Sequence, residues 1–167
     1  MTLQEALVTA GFDIVDIDSP TDAIVINTCA FIQPAIEESI DTILDVANFE
    51  AVSSGRTKLI VSGCMPARFG KSLSAELPEV HSFVPCSQED SIVKIISQAL
   101  ECDTPTSRSV EFSYAPSEYI KISDGCSRHC AFCTIPSIRG PYHSFSYGSI
   151  YADVAAKVKG GAKEIVL

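Results

Sequence analysis

Three short apolar runs fix most of what this chain can become. Ala23–Thr28 (AIVINT), Thr57–Ser62 (TKLIVS) and Val80–Val84 are rich in β-branched residues and too short for helices, so each reads as a buried strand. Helical stretches separate them. Pro34 stands where a first helical turn tolerates proline, and Ile36, Ile40, Ile43, Leu44 and Ala47 follow at helical spacing. Glu37, Glu38, Asp41 and Asp45 fall on the opposite side and read as a solvated face, since nothing nearby would perturb them for paired-carboxylate catalysis. Further helices are predicted from about Ala67 to Leu77 and from about Gln88 to Glu101, the latter with Ile92, Ile95, Ile96 and Leu100 inward. Strand and helix alternating in this way predict parallel strands joined by right-handed crossovers. The fold class is therefore α/β, with an open parallel sheet over residues 1–101.

The chain enters that sheet through Thr2-Leu3-Gln4-Glu5, a capping box that predicts a helix stopping at Gly11. Phe12 to Ile17 alternates apolar and acidic residues and reads as a short edge strand. After residue 101 the texture changes. Residues 102–117 are polar, carry proline, serine and threonine, and lack periodicity, so they read as a linker in which Cys102 is an ordinary thiol. Glu118–Ser123 is predicted as a strand, Tyr147–Lys159 as a helix closed by Gly160-Gly161, and Ala162–Leu167 as a further strand. This β-loop-α-β order over residues 118–167 fits the opening unit of a (β/α) barrel.

Cysteine placement carries the chemistry. Cys126, Cys130 and Cys133 lie on one polar loop with the spacing C-x3-C-x2-C, which suits three corner irons of a four-iron cubane. The fourth iron is left open to chelate the amino and carboxylate groups of a small molecule. A zinc site of three Cys and one His is the competing reading, with His129 or His143 as fourth ligand. A second set is scattered in sequence but shares a context: Cys29, Cys64 and Cys86 each follow a predicted strand. Ligands gather at the carboxyl ends of strands in open α/β sheets, so these thiols are candidates for one edge. A small buried hydrophobe is the alternative for each of them.

The seven cysteines, with no secretory segment and no apolar run of membrane-spanning length, point to a reducing, cytoplasmic setting and no membrane. The formal net charge of −9 argues against this segment as a nucleic-acid grip and suits a basic protein partner better.

Asn27-Thr28-Cys29-Ala30-Phe31-Ile32, Glu37-Glu38-Ser39-Ile40-Asp41, Ser62-Gly63-Cys64 and Gly125-Cys126 through Arg139-Gly140 together resemble the methylthiotransferases among the radical S-adenosylmethionine enzymes. The NTC segment and the IPSIRG tail resemble its RimO branch, which modifies an aspartate of ribosomal small-subunit protein twelve. The resemblance implies a 4Fe-4S cluster on Cys126, Cys130 and Cys133 that binds S-adenosylmethionine. It implies a second, auxiliary 4Fe-4S cluster held partly by Cys29 and Cys64. Phe132 would lie near the adenine, with packing of the loop as the alternative, and Arg139 would contact the cofactor carboxylate or an acidic substrate, with a surface salt bridge as the alternative. An electron donor such as flavodoxin or ferredoxin is implied as a partner. The family's first auxiliary cysteine lies in a strand ahead of the opening helix, and its barrel continues past a second strand. The resemblance therefore implies truncation at both ends, an incomplete auxiliary site and an inactive fragment; Cys86, the one remaining thiol that follows a strand, could stand in only if its strand lies next to that of Cys29 or Cys64. Two rivals remain: a tRNA adenosine methylthiotransferase, and a non-enzymatic scaffold stabilised by zinc or a cluster.

Overall fold

The structure, a computed structural model, describes residues 2–70, 72–102, 108 and 110–167. Helix α1 (Leu3–Thr9) starts as its capping box dictates. The Glu5 amide donates to Thr2 Oγ1 (3.2 Å), and the Thr2 amide donates back to Glu5 Oε2 (2.5 Å). Glu5 is buried, and burial alone would raise its carboxyl pKa. The Thr2 amide and Tyr114 hydroxyl, with the positive charges of the N-terminus and Lys157, outweigh burial and hold it below the ordinary value. A depressed folded-state pKa contributes stability above the unfolded value, about 4.3, which is lost as pH falls through the folded value. Glu5→Gln is therefore expected to cost about 1 kcal/mol at neutral pH and to flatten the acid limb of a stability–pH curve below about pH 4.

A parallel sheet follows, with strands β1 (Ala23–Thr28), β2 (Lys58–Gly63) and β3 (Ser82–Pro85) in the order β1-β2-β3. Helices α2 (Gln33–Ala47) and α3 (Glu50–Ser53) cross from β1 to β2. Helices α4 (Cys64–Phe69) and α5 (Ser72–Glu76) cross from β2 to β3. Alternation along β2 decides which side each residue fills. Leu59 and Val61 pack with Ile36, Ile43, Val46 and Met65, whereas Ile60 packs with Leu7, Val84, Ile92 and Ile96. The second cluster is made by α1 and by α6 (Ile92–Ala99), whose Ile92, Ile96 and Ala99 recur at one-face spacing. The four acids of α2 are exposed, as its periodicity predicts.

Three details differ from the sequence expectation. Phe12–Ile17 forms no strand, and Ile14, Val15 and Ile17 are half exposed, because among the described residues no strand lies beside this segment to complete a ladder. The helix expected over 67–77 is two short pieces. Its chain turns at Gly70, whose φ of +55° no interior helical residue adopts. The helix expected from Gln88 starts as a 3₁₀ turn, Cys86–Ser91, before α6. Of the predicted linker, residues 103–107 and 109 lie outside the described residues, and residues 110–116 form neither helix nor strand.

Beyond residue 116 the predicted β-α-β unit is present: β4 (Ser117–Tyr119), α8 (Tyr147–Lys159) and β7 (Glu164–Val166), with β4 and β7 parallel. Lys157, buried on α8, donates to Tyr119 O (2.7 Å) and Glu118 Oε2 (3.2 Å), fastening the helix to β4. The strand expected over 118–123 is divided. Its end, β5 (Ser123–Asp124), leaves β4 and pairs antiparallel with β6 (His143–Ser144). That pairing closes the base of the three-cysteine loop, which also carries the short helix α7 (Ile135–Arg139).

Candidate functional site

The register of the sheet places one thiol set. Thr28, Gly63 and Pro85 share a row across β1, β2 and β3, and Cys29, Cys64 and Cys86 are the residues that directly follow these strand ends. Two local devices hold this edge. The Thr28 hydroxyl donates to Ser62 O (2.7 Å) and accepts from the Met65 amide (3.3 Å), so the end of β1 is stitched to the start of α4. Gly63 turns at φ +100°, and a Cβ there would lie 2.5 Å from both Thr28 O and Asn27 Oδ1. The Thr in NTC and the Gly in SGC thus build the turn that presents the two thiols. Cys29 is exposed and Cys64 is buried (3% exposed). Cys86 is half-buried and donates to Ile138 O (3.3 Å). Burial pushes the Cys86 thiol up; Arg139 opposes this, while Cys64 and Glu89 reinforce it.

The second set is the loop. Gly125 turns at φ +72°, and a Cβ there would strike the Gly140 and Pro141 carbonyls, so only glycine lets the two ends of the loop approach. The Cys126 amide donates to Gly140 O and the Cys133 amide to Cys130 O, both at 3.1 Å. Cys130 is exposed, and Cys126 and Cys133 are half-buried. Phe132 is 91% exposed.

Arg139 joins the two sets. Its Nη2 donates to Cys64 Sγ (3.4 Å), and its Nη1 is 3.6 Å from Asp124 Oδ2. Burial works against the charged guanidinium, but Cys64, Cys86 and Asp124 outweigh it and hold its pKa above the ordinary value. Asp124 in turn accepts from the Gly125 amide (2.9 Å) and from Lys121 (2.5 Å). Burial would raise the Asp124 pKa, and these hydrogen bonds with the Lys121 and Arg139 charges lower it instead. Asp124 is the residue that sequence reasoning missed. The signal was its position two residues before Cys126, but its partners lie across the loop. Ile138, the neighbour of Arg139, is buried against the sheet's main core and seats α7 at the cysteine edge.

All seven cysteines are free thiols. Among the described residues no three His, Cys, Asp or Glu side chains are already gathered as ligands for one metal ion, which holds equally for iron and for zinc with His129 or His143. The fit to an iron–sulfur centre is one of donor type and connectivity: thiols only, three on one loop pinned at both ends. A separate cleft of about 570 Å³ is lined by Asn27, Ser62, Glu89, Asp90, Lys121 and Phe145 among others. Among the described residues no helix is long and apolar enough to cross a membrane.

With this geometry in view, similarity to known proteins adds a second line. The family described as uncharacterized protein family UPF0004 matches residues 1–85. A protein of Thermodesulfovibrio yellowstonii named ribosomal protein uS12 methylthiotransferase RimO is 40% identical over 99% of this chain and 38% of its own length. Proteins of the same name from Trichlorobacter lovleyi and Geobacter sulfurreducens are 34% and 38% identical over 96% and 93% of this chain, again across 38% of their own lengths. The chain thus spans well under half the length of these curated relatives.

Proposed function

The chain belongs to the UPF0004 family and is RimO-like along nearly all of its length, and from that premise we propose that it serves methylthio transfer to an aspartate of ribosomal protein uS12. Residues 1–101 would be the α/β domain with an auxiliary 4Fe-4S site, residues 102–117 the linker, and residues 118–167 the start of the radical S-adenosylmethionine domain. The observation that supports this reading most is the C-x3-C-x2-C loop held against the strand-edge thiols, in a chain whose relatives carry that name.

In this reading Cys126, Cys130 and Cys133 hold a 4Fe-4S cluster, and Cys29 and Cys64 contribute to the second. When bound, the loop cluster supplies the electron for reductive cleavage of S-adenosylmethionine, delivered by a donor of the flavodoxin or ferredoxin class. The protein's own residues orient and enclose. Gly125 and Gly140 let the loop close, Asp124 and Lys121 neutralise each other at its base, and exposed Phe132 is free to pack on a bound adenine. Glu89 and Asp90 in the neighbouring cleft suit a basic protein substrate. The setting is the cytoplasm, with no membrane or nucleic-acid partner for this segment.

Residues 1–167 hold a single β-α-β unit after the linker, too little to enclose cofactor and substrate together. Incubated with reductant, S-adenosylmethionine, uS12 and tRNA, this polypeptide alone is expected to leave the aspartate unmodified by mass spectrometry. A methylthio adduct on uS12 would overturn the domain division, and an adduct on a tRNA adenosine would overturn the substrate.

A further inference from the structure

We propose that Arg139 is a positioning residue that locks the three-cysteine loop onto the cysteine edge of the sheet through Cys64 and Asp124. The contacts form one unbroken chain. Cys64 Sγ accepts from Arg139 Nη2, Arg139 Nη1 faces Asp124 Oδ2, and Asp124 Oδ1 accepts from the Gly125 amide. The Cys126 amide then returns to Gly140 O, the residue next to Arg139. Both ends of the loop are therefore tied to each other and to a thiol of the other set. A planar guanidinium suits this task, since its donors diverge in a fixed fork and reach two acceptors at once; a lysine ammonium is a point charge on a flexible stem.

Arg139 is only 24% exposed, so its charge needs these partners rather than water. Two further contacts keep it in place: Cys86 Sγ donates to the Ile138 carbonyl, and the Ile138 side chain is buried in the sheet's core. The consequence for the proposed reaction is geometric. Arg139, which belongs to neither cysteine set, helps fix their separation together with these Ile138 contacts. This consequence rests on the functional reading above. The lock itself does not, and the metal-free chain tests it, so a failed lock and a failed cluster assignment are told apart.

The test is native-state alkylation of the metal-free full chain over a pH series, comparing each cysteine's limiting rate at high pH so that access is read apart from thiolate fraction, with each cysteine quantified by mass spectrometry and exposed Cys102 as internal reference. Arg139→Gln is expected to raise Cys64 modification about fivefold, the equivalent of one ordinary hydrogen bond. Asp124→Asn is the second variant, and it leaves the Arg139–Cys64 hydrogen bond itself intact. It should raise Cys64 modification by a smaller factor, because its only route to Cys64 runs through Arg139. The double variant should be no more reactive than Arg139→Gln alone, as members of one chain of contacts do not add. Arg139→Lys should restore protection only in part. Unchanged Cys64 reactivity in both single variants would overturn the proposal, as would effects that multiply in the double variant. If Arg139→Gln unfolds, Asp124→Asn decides alone.

Discussion

Replacing Cys126, Cys130 or Cys133 with Ala is expected to abolish iron retention at the loop. A cubane held by three protein thiolates loses a third of its protein bonds with one substitution, and the two remaining sulfurs lie on a solvent-facing loop where water and thiol reductants compete. After anaerobic reconstitution with iron and sulfide, the unaltered chain should retain roughly four irons at this loop. Each variant should lose that iron together with the broad visible absorbance, while Cys102→Ala should match the unaltered chain. A serine hydroxyl is a hard donor that stays protonated at neutral pH, so Ser in place of these thiolates is also expected to fail. A colourless variant set and a colourless parent that binds one zinc would favour the scaffold reading instead.

Gly63→Ala should be the most damaging single substitution in the sheet. Its backbone lies at φ +100°, ψ −143°, a region that only glycine enters readily. The added Cβ would also meet Thr28 O and Asn27 Oδ1 at 2.5 Å, and one of these is backbone that cannot rotate away. Strain and clash together are expected to cost about 3 kcal/mol or more, a fall in Tm on the order of 10 °C. The damage is local as well as global. Relief of the clash requires β1 and β2 to part at the row that ends in Cys29 and Cys64, so alkylation of Cys64 should rise even at temperatures where the variant is folded. Thermal denaturation and thiol mapping of one sample check both effects. A variant that melts with the parent would show that the turn is not rigid.

The strands, the α2 stripe and α8 were legible because each declares itself within a few residues. β-branched runs bounded by turns, a proline at a first turn and apolar spacing of three and four are local signals. The common cysteine edge was legible for a related reason. Parallel strands of similar length that each end in cysteine leave little choice of where those residues fall, and the register of Thr28, Gly63 and Pro85 agrees. What stayed hidden depends on partners. Phe12–Ile17 alternates like a strand, but alternation supplies no neighbour. Glu118–Ser123 reads as one strand, but Asp124 and His143 pair across the loop and draw its end away from β4. Arg139 is visible in the IPSIRG tail, and its direction is not. Sequence alone offers it a cofactor, an acidic substrate or a salt bridge; in the fold it pairs with Asp124 and faces Cys64, 75 residues away. Asp124 went unnoticed because its role is defined by Lys121, Gly125 and Arg139 together.

In the proposed function the three-cysteine loop would hold a cluster that binds S-adenosylmethionine. Electron paramagnetic resonance of the reconstituted, dithionite-reduced chain tests it most directly, recorded with and without S-adenosylmethionine. A reduced 4Fe-4S signal is expected whose g-values shift on addition of S-adenosylmethionine, with no such shift when Cys126, Cys130 and Cys133 are all alanine. A signal that persists and still shifts in that triple variant, or a parent whose signal ignores S-adenosylmethionine, would contradict it.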